Sequence, residues 1–186
     1  HGAMLLSRAF IFDTRQHRSR CGMVMIRVLV VDDHPVVRSG YARLLEAGGD
    51  IQVVAEAADA ESGFDAYIAH SPSVTVTDLS MPGSSGIELI RRIHARTHSA
   101  RLLVFSVHDE TLVIEKALQS GASGFISKRS APEVLLEAVR AVARGERYLS
   151  SDVRKVFEHR SPSTERAIIN ELSPREFEVF RLLAQG

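Results

Sequence analysis

The stretch Val28-Leu29-Val30-Val31-Asp32-Asp33-His34-Pro35 decides the fold. Four apolar residues, three of them β-branched, run without a break into two acids and a proline, which is the pattern of a strand buried on both faces that ends at a charged sheet edge. Two further runs repeat it: Val74-Thr75-Val76-Thr77-Asp78, and Leu102-Leu103-Val104-Phe105-Ser106, with Lys128 following a shorter apolar run. Read as parallel strands, they bring Asp32, Asp33, Asp78, Ser106 and Lys128 to one edge, where open α/β sheets bind their ligands. Carboxylates gathered at such an edge repel one another unless a cation lies between them, so the cluster reads as a metal site beside a possible nucleophile.

Working outward, strand and helix patterns alternate. Ile26 to Val31 precedes a helix opening at Pro35, whose Val37, Tyr41, Leu44 and Leu45 share a face. Ile51 to Ala55 forms a second strand, and a helix from Ala60 to Ala69 ends before Ser71-Pro72. After the third strand, Met81-Pro82-Gly83 turns the chain into a helix carrying Ile87, Ile90 and Ile93. The fourth strand ends at Ser106, and a helix from about Asp109 to Gln119 stops at Gly121. Gly124-Phe125-Ile126 forms the fifth strand, and Ser130-Ala131-Pro132-Glu133 opens the last helix as a capping box. Five βα units predict an α/β fold, a five-stranded parallel sheet with helices on both faces.

Composition sets the bounds. The 186 residues, 45% hydrophobic and 25% charged, suffice for one ordinary domain plus a tail or a partial second domain. Basic and acidic residues balance at 23 each, so net charge supplies no argument for nucleic acid or a membrane surface. The single cysteine, Cys21, rules out an internal disulfide framework and fits a reducing compartment, with the cytoplasm as the expected location. At the amino terminus His1-Gly2-Ala3 looks like a vector-derived remnant. The stretch to residue 24, rich in Arg and poor in acids, has no secretory pattern and is expected to be an upstream segment without order.

Asp32-Asp33-His34-Pro35 after the first strand, Asp78-Leu79-Ser80-Met81-Pro82-Gly83 after the third, Ser106 after the fourth and Lys128 after the fifth together resemble a two-component response-regulator receiver domain, a relative of CheY. The resemblance covers about residues 25 to 145 and implies the flavodoxin-like strand order 2-1-3-4-5. Val31 to Gly40 and Gly121 to Lys128 resemble the NarL/FixJ subfamily of transcription regulators.

An aspartate can attack a phosphoryl group and hold it as an acyl phosphate, and Asp78, alone at the end of the middle strand, is the expected phosphoacceptor, open to attack. Magnesium needs few protein oxygens because it keeps several waters. By resemblance its ligands are Asp33, Asp78 and the carbonyl of Ser80, with Asp32 acting through water. Lys128 is expected to neutralise the transferred phosphoryl oxygens and Ser106 to hydrogen-bond the group once attached. Phe125 stands where the family carries a switch aromatic, a position equally explained by core packing. His34 lacks a second histidine at ligand spacing and reads as a neighbour of the metal ligands. Arg129 follows Lys128 where the family often has proline, and Thr77 precedes Asp78 where an apolar residue is frequent.

The resemblance implies a phosphoryl donor, a sensor histidine kinase, and an output face over about residues 109 to 144 that pairs receivers as a homodimer or releases an effector domain. The protein is expected not to be an enzyme in the ordinary sense: it catalyses only its own phosphorylation and dephosphorylation. Residues 146–171 read as a linker. Leu172-Ser173-Pro174-Arg175-Glu176 then opens a helix that resembles the first of a LuxR-type helix-turn-helix domain. The sequence stops at Gly186, before the recognition helix, so DNA is expected as a partner of the full-length protein only. The competing reading is a receiver that works without phosphorylation, as a dimerisation or docking module.

Overall fold

The computed structural model describes residues 25–158, apart from Pro82 and Ser84. The expectations for residues 1–24, for the linker beyond 158 and for the helix from Leu172 lie outside the described residues, as does the proline of the Met81-Pro82-Gly83 turn. In chain order the elements are β1 (Ile26–Val31), α1 (Pro35–Glu46), β2 (Ile51–Ala57), α2 (Ala60–His70), β3 (Val74–Thr77) and α3 (Gly86–Arg96), followed by β4 (Leu102–Ser106), α4 (Thr111–Gln119), β5 (Gly124–Ser127), α5 (Pro132–Ala143), β6 (Tyr148–Leu149) and α6 (Ser151–Glu158). Every strand pairing is parallel, and the sheet order is β2-β1-β3-β4-β5-β6.

Alternation along the strands builds two cores. Leu29, Val31, Val104 and Phe125 point to one face and meet Leu89, Ile90 and Ile93 of α3 and Ile114 of α4. Val28, Val30, Val76, Leu103 and Ile126 point to the other and meet Leu45 of α1 and Leu135, Val139 and Val142 of α5. All of these side chains are buried, which is why the strands read as unbroken apolar runs. Local chemistry marks several helix ends: Asp59 accepts from the Ser62 N–H at 2.8 Å to cap α2, and Ser85 accepts from Glu88 to cap α3. Gly121 ends the α4 turn with φ +112°, a conformation L side chains rarely adopt.

Three expectations need correction. The sheet has a sixth strand: Tyr148 N–H donates to Ser123 and Ser150 N–H to Phe125, adding a short strand outside β5. The α6 helix that follows seats Val153, fully buried, in the α3–α4 side of the core. Residues 146 to 158, expected as the start of a linker, therefore pack onto the domain. The capping box at Ser130 also does not form. The N-cap of α5 is Ala131, without a side-chain bond, and Ser130 Oγ instead hydrogen-bonds Asp152 of α6 at 3.1 Å. On the output face, Val113 and Leu118 pack against the core while Leu112 is exposed.

Candidate functional site

The parallel order fixes which side chains can meet. Because β1, β3 and β5 end on the same edge, Asp32, Asp78 and Lys128, the residues just past their last paired positions, are delivered together. Asp78 N–H donates to Val31 at 2.9 Å and Asp32 N–H to Ala57 at 3.1 Å, so the last ladder bonds set both acids in place. Lys128 N–H donates to the Ser106 carbonyl at 2.8 Å, which ties the end of β5 to that of β4.

Lys128 Nζ lies 2.6 Å from Asp78 Oδ2 and 2.7 Å from Asp32 Oδ2, a single ammonium between two buried carboxylates. Burial opposes its charge, but the hydrogen bonds it donates to both aspartates and their negative charges outweigh that and raise its pKa above the ordinary lysine range. The second oxygen of Asp78 accepts from the backbone N–H groups of Leu79 at 2.6 Å and Ser80 at 3.3 Å. Asp78 is thus enclosed, only 4% exposed, where the sequence suggested an acid open to attack; Leu79, Ser80 and Lys128 hold its two oxygens. Thr77, unexpected before Asp78, is explained: its buried hydroxyl donates to the Asp78 carbonyl at 2.8 Å.

Lys128 pairs with Asp32 and Asp78 and not with Asp33. The Asp33 Oδ1 is buried and accepts no hydrogen bond, although His34 Nδ1 approaches to 2.8 Å. Asp32, Asp33 and His34 each bring one ligand atom within 4.8 Å of the others. The two carboxylates suit a hard divalent cation that retains water, so they fit magnesium, while the third ligand atom of the group is a His34 nitrogen and Asp78, held by Lys128 and by the Leu79 and Ser80 N–H groups, lies outside it. Ser80 is exposed and contributes its N–H to Asp78.

Ser106 is fully buried, and its Oγ accepts from the His108 N–H at 3.3 Å; its hydroxyl is engaged with its own loop rather than with Asp78. Phe125 is fully buried against α3 and α4. Sequence reading missed several contributors. Arg38 donates to the Asp32 carbonyl, Tyr41 and Phe105 pack edge to face with centroids 4.6 Å apart, and Phe105 lies beneath Lys128 Nζ at 6.0 Å. Asp109 accepts from Ser127 Oγ at 2.9 Å and pairs with Arg129, which joins the loop after β4 to the residues flanking Lys128. The Arg at 129, noted as a departure from proline, was the one signal of that link.

A model of the response regulator receiver domain matches residues 28–140. The response regulator UvrY of Escherichia coli O6:H1 is 35% identical over 164 residues, covering 87% of this chain and 75% of that protein. The nitrate/nitrite response regulator NarL of Escherichia coli K12 is 35% identical over 162 residues, covering 86% and 75%. Among solved structures, a LuxR-family two-component response regulator from Aurantimonas is 41% identical with a TM-score of 0.70, covering 72% of this chain and 96% of that one. A structure of RcsB dimers bound to DNA is 30% identical with a TM-score of 0.72, covering 87% and 78%. An acid pair after β1, an enclosed aspartate after β3 and a lysine bridging them are thus set in a fold and sequence shared with these proteins, and the chain belongs to the two-component response regulators of the NarL/LuxR type, with a receiver domain over residues 28–140.

Proposed function

We propose that the receiver domain takes a phosphoryl group on Asp78 from a sensor histidine kinase and thereby controls a DNA-binding LuxR-type domain. The observation that carries this reading is the Lys128 ammonium within 2.7 Å of both Asp32 and Asp78, beside an Asp33 oxygen that accepts no hydrogen bond.

Asp78 Oδ attacks phosphorus, the bond from phosphorus to the donor's imidazole nitrogen breaks, and that nitrogen keeps the electron pair. Asp33, Asp78 and the Ser80 carbonyl would hold magnesium, with Asp32 reaching it through water, and the ion when bound would supply positive charge against the phosphoryl oxygens. Lys128 exchanges its contact with Asp78 for one with a phosphoryl oxygen, so its positive charge meets the charge that transfer brings in. The Leu79 and Ser80 N–H groups hold Asp78 oriented throughout. Ser106 leaves the His108 N–H and donates to the phosphoryl group, drawing its loop inward, with Phe125 following as the switch aromatic. Attack of water on phosphorus releases phosphate and restores the carboxylate, so the chemistry resets the protein rather than turning over a substrate. The output is a homodimer formed in the cytoplasm that acts on DNA, as RcsB dimers are seen bound to DNA.

Incubation with acetyl phosphate and magnesium, followed by intact-mass measurement, tests this. One phosphoryl mass is expected, lost with a chelator and in Asp78→Asn. No addition, or addition that persists in Asp78→Asn, contradicts the proposal, and no addition favours the docking-module reading.

A further inference from the structure

We infer that Arg38 is a positioning residue for the metal-binding turn: paired in charge with Glu56 of β2, its guanidinium holds the Asp32 carbonyl and so aims the carboxylate of Asp33. This rests on the magnesium reading of the acid pair. Arg38 sits one turn into α1, with its side chain only 16% exposed. Its Nη1 donates to the Asp32 carbonyl at 2.6 Å, a charge-assisted bond, while Nε lies 3.3 Å from Glu56 Oε2 as an ion pair without a hydrogen bond.

The other polar points of Asp32 are also fixed. Its N–H donates to Ala57, Oδ1 accepts from the His34 N–H at 2.8 Å and Oδ2 is held by Lys128. The Asp32 carbonyl belongs to the peptide plane that carries the Asp33 nitrogen, so holding that oxygen sets the direction in which Asp33 projects. The buried Asp33 oxygen accepts no hydrogen bond, with His34 Nδ1 2.8 Å away as its ion-pair partner, and the bond that Arg38 makes in this turn goes to the Asp32 carbonyl. A flat, forked cation suits this task because it reaches the carbonyl and Glu56 at once.

Charge and position predict opposite signs. Arg38 as a mere positive charge near the acids repels a divalent cation, so removing it tightens binding. Glu56 already offsets that charge, and as a positioning group Arg38 strengthens binding, so removing it loosens the ion. Residues that orient metal ligands typically change affinity about tenfold or more.

The test uses manganese as the probe, its free ion followed by electron paramagnetic resonance, on wild type, Asp33→Asn, Arg38→Met, Arg38→Gln and Arg38→Lys, each checked by melting with chelator present. The expected result is loss of binding in Asp33→Asn, about tenfold weaker binding in Arg38→Met, and part recovery in Arg38→Gln and Arg38→Lys, which keep a donor. In acetyl phosphate labelling, Arg38→Met is expected to need more magnesium for half-maximal rate and to reach the wild-type maximum. Unchanged or tighter manganese binding in Arg38→Met and Arg38→Gln overturns the inference, and Arg38→Gln decides alone should Arg38→Met not fold. Binding that survives Asp33→Asn instead refutes the metal reading itself, and the inference falls with it.

Discussion

Lys128 is held by two carboxylates at once, and each acid depends on it. Removing the ammonium leaves Asp32 and Asp78 buried together with like charge, the costly way to break a buried pair. Lys128→Met is expected to lose about 3 kcal/mol at neutral pH in urea unfolding, and added magnesium is expected to restore part of it. A midpoint unchanged from wild type contradicts the bridging role. A second ion pair gives a pH signature. Arg140 donates both Nε and Nη2 to Asp50, at 2.7 and 2.8 Å, and that hydrogen bonding lowers the Asp50 carboxyl below its ordinary range despite the small opposing effect of burial. A depressed carboxyl binds protons more readily in the unfolded chain, so its stabilisation is present above the ordinary aspartate value and fades as pH falls through the lower folded value. Both side chains are partly exposed, so the contribution is about 0.5 to 1 kcal/mol. Asp50→Asn is expected to lower stability by that amount near neutrality and to converge with wild type in strong acid.

At the scale of elements, the approach of α3 to β3 leaves no room for a side chain at Gly86. A Cβ there lies 1.9 Å from the Asp78 carbonyl oxygen, a backbone atom that cannot move without moving the phosphoacceptor. Gly86→Ala is expected to cost about 3 kcal/mol by overpacking and to slow acetyl phosphate labelling, since the Asp78 loop has to shift. Thermal melting and intact mass read the two effects, and a variant normal in both refutes this packing. The five long elements of the sheet were legible because buried parallel strands are nearly pure apolar runs and helices α1 to α5 carry periodic apolar positions. The sixth strand was not, because Tyr148-Leu149 is too short to show any period, and α6 hides among polar residues with Val153 as its anchor. Ser130 shows a different limit. Its capping-box pattern was present, yet Asp152 of α6, distant in sequence, took the hydroxyl.

Across the whole molecule, the site is made by topology. Five strand ends on one edge contribute Asp32, Asp33, Glu56, Asp78, Ser106 and Lys128, and the pairing Asp109–Arg129 joins the loops after β4 and β5. The identity of the acids and lysine was readable from their places after apolar runs. Their pairing was not, since nothing local distinguishes Asp32, which meets Lys128, from Asp33, which does not. Enclosure of Asp78 likewise emerges only when Leu79, Ser80 and Lys128 bond its carboxylate. The central claim is that this enclosed aspartate, rather than its neighbours, forms the acyl phosphate. Borohydride reduction after acetyl phosphate treatment converts an aspartyl phosphate to homoserine, which peptide mass spectrometry locates. The account predicts homoserine at position 78 alone and only when magnesium is present; homoserine at 32 or 33, or none at any position, contradicts it.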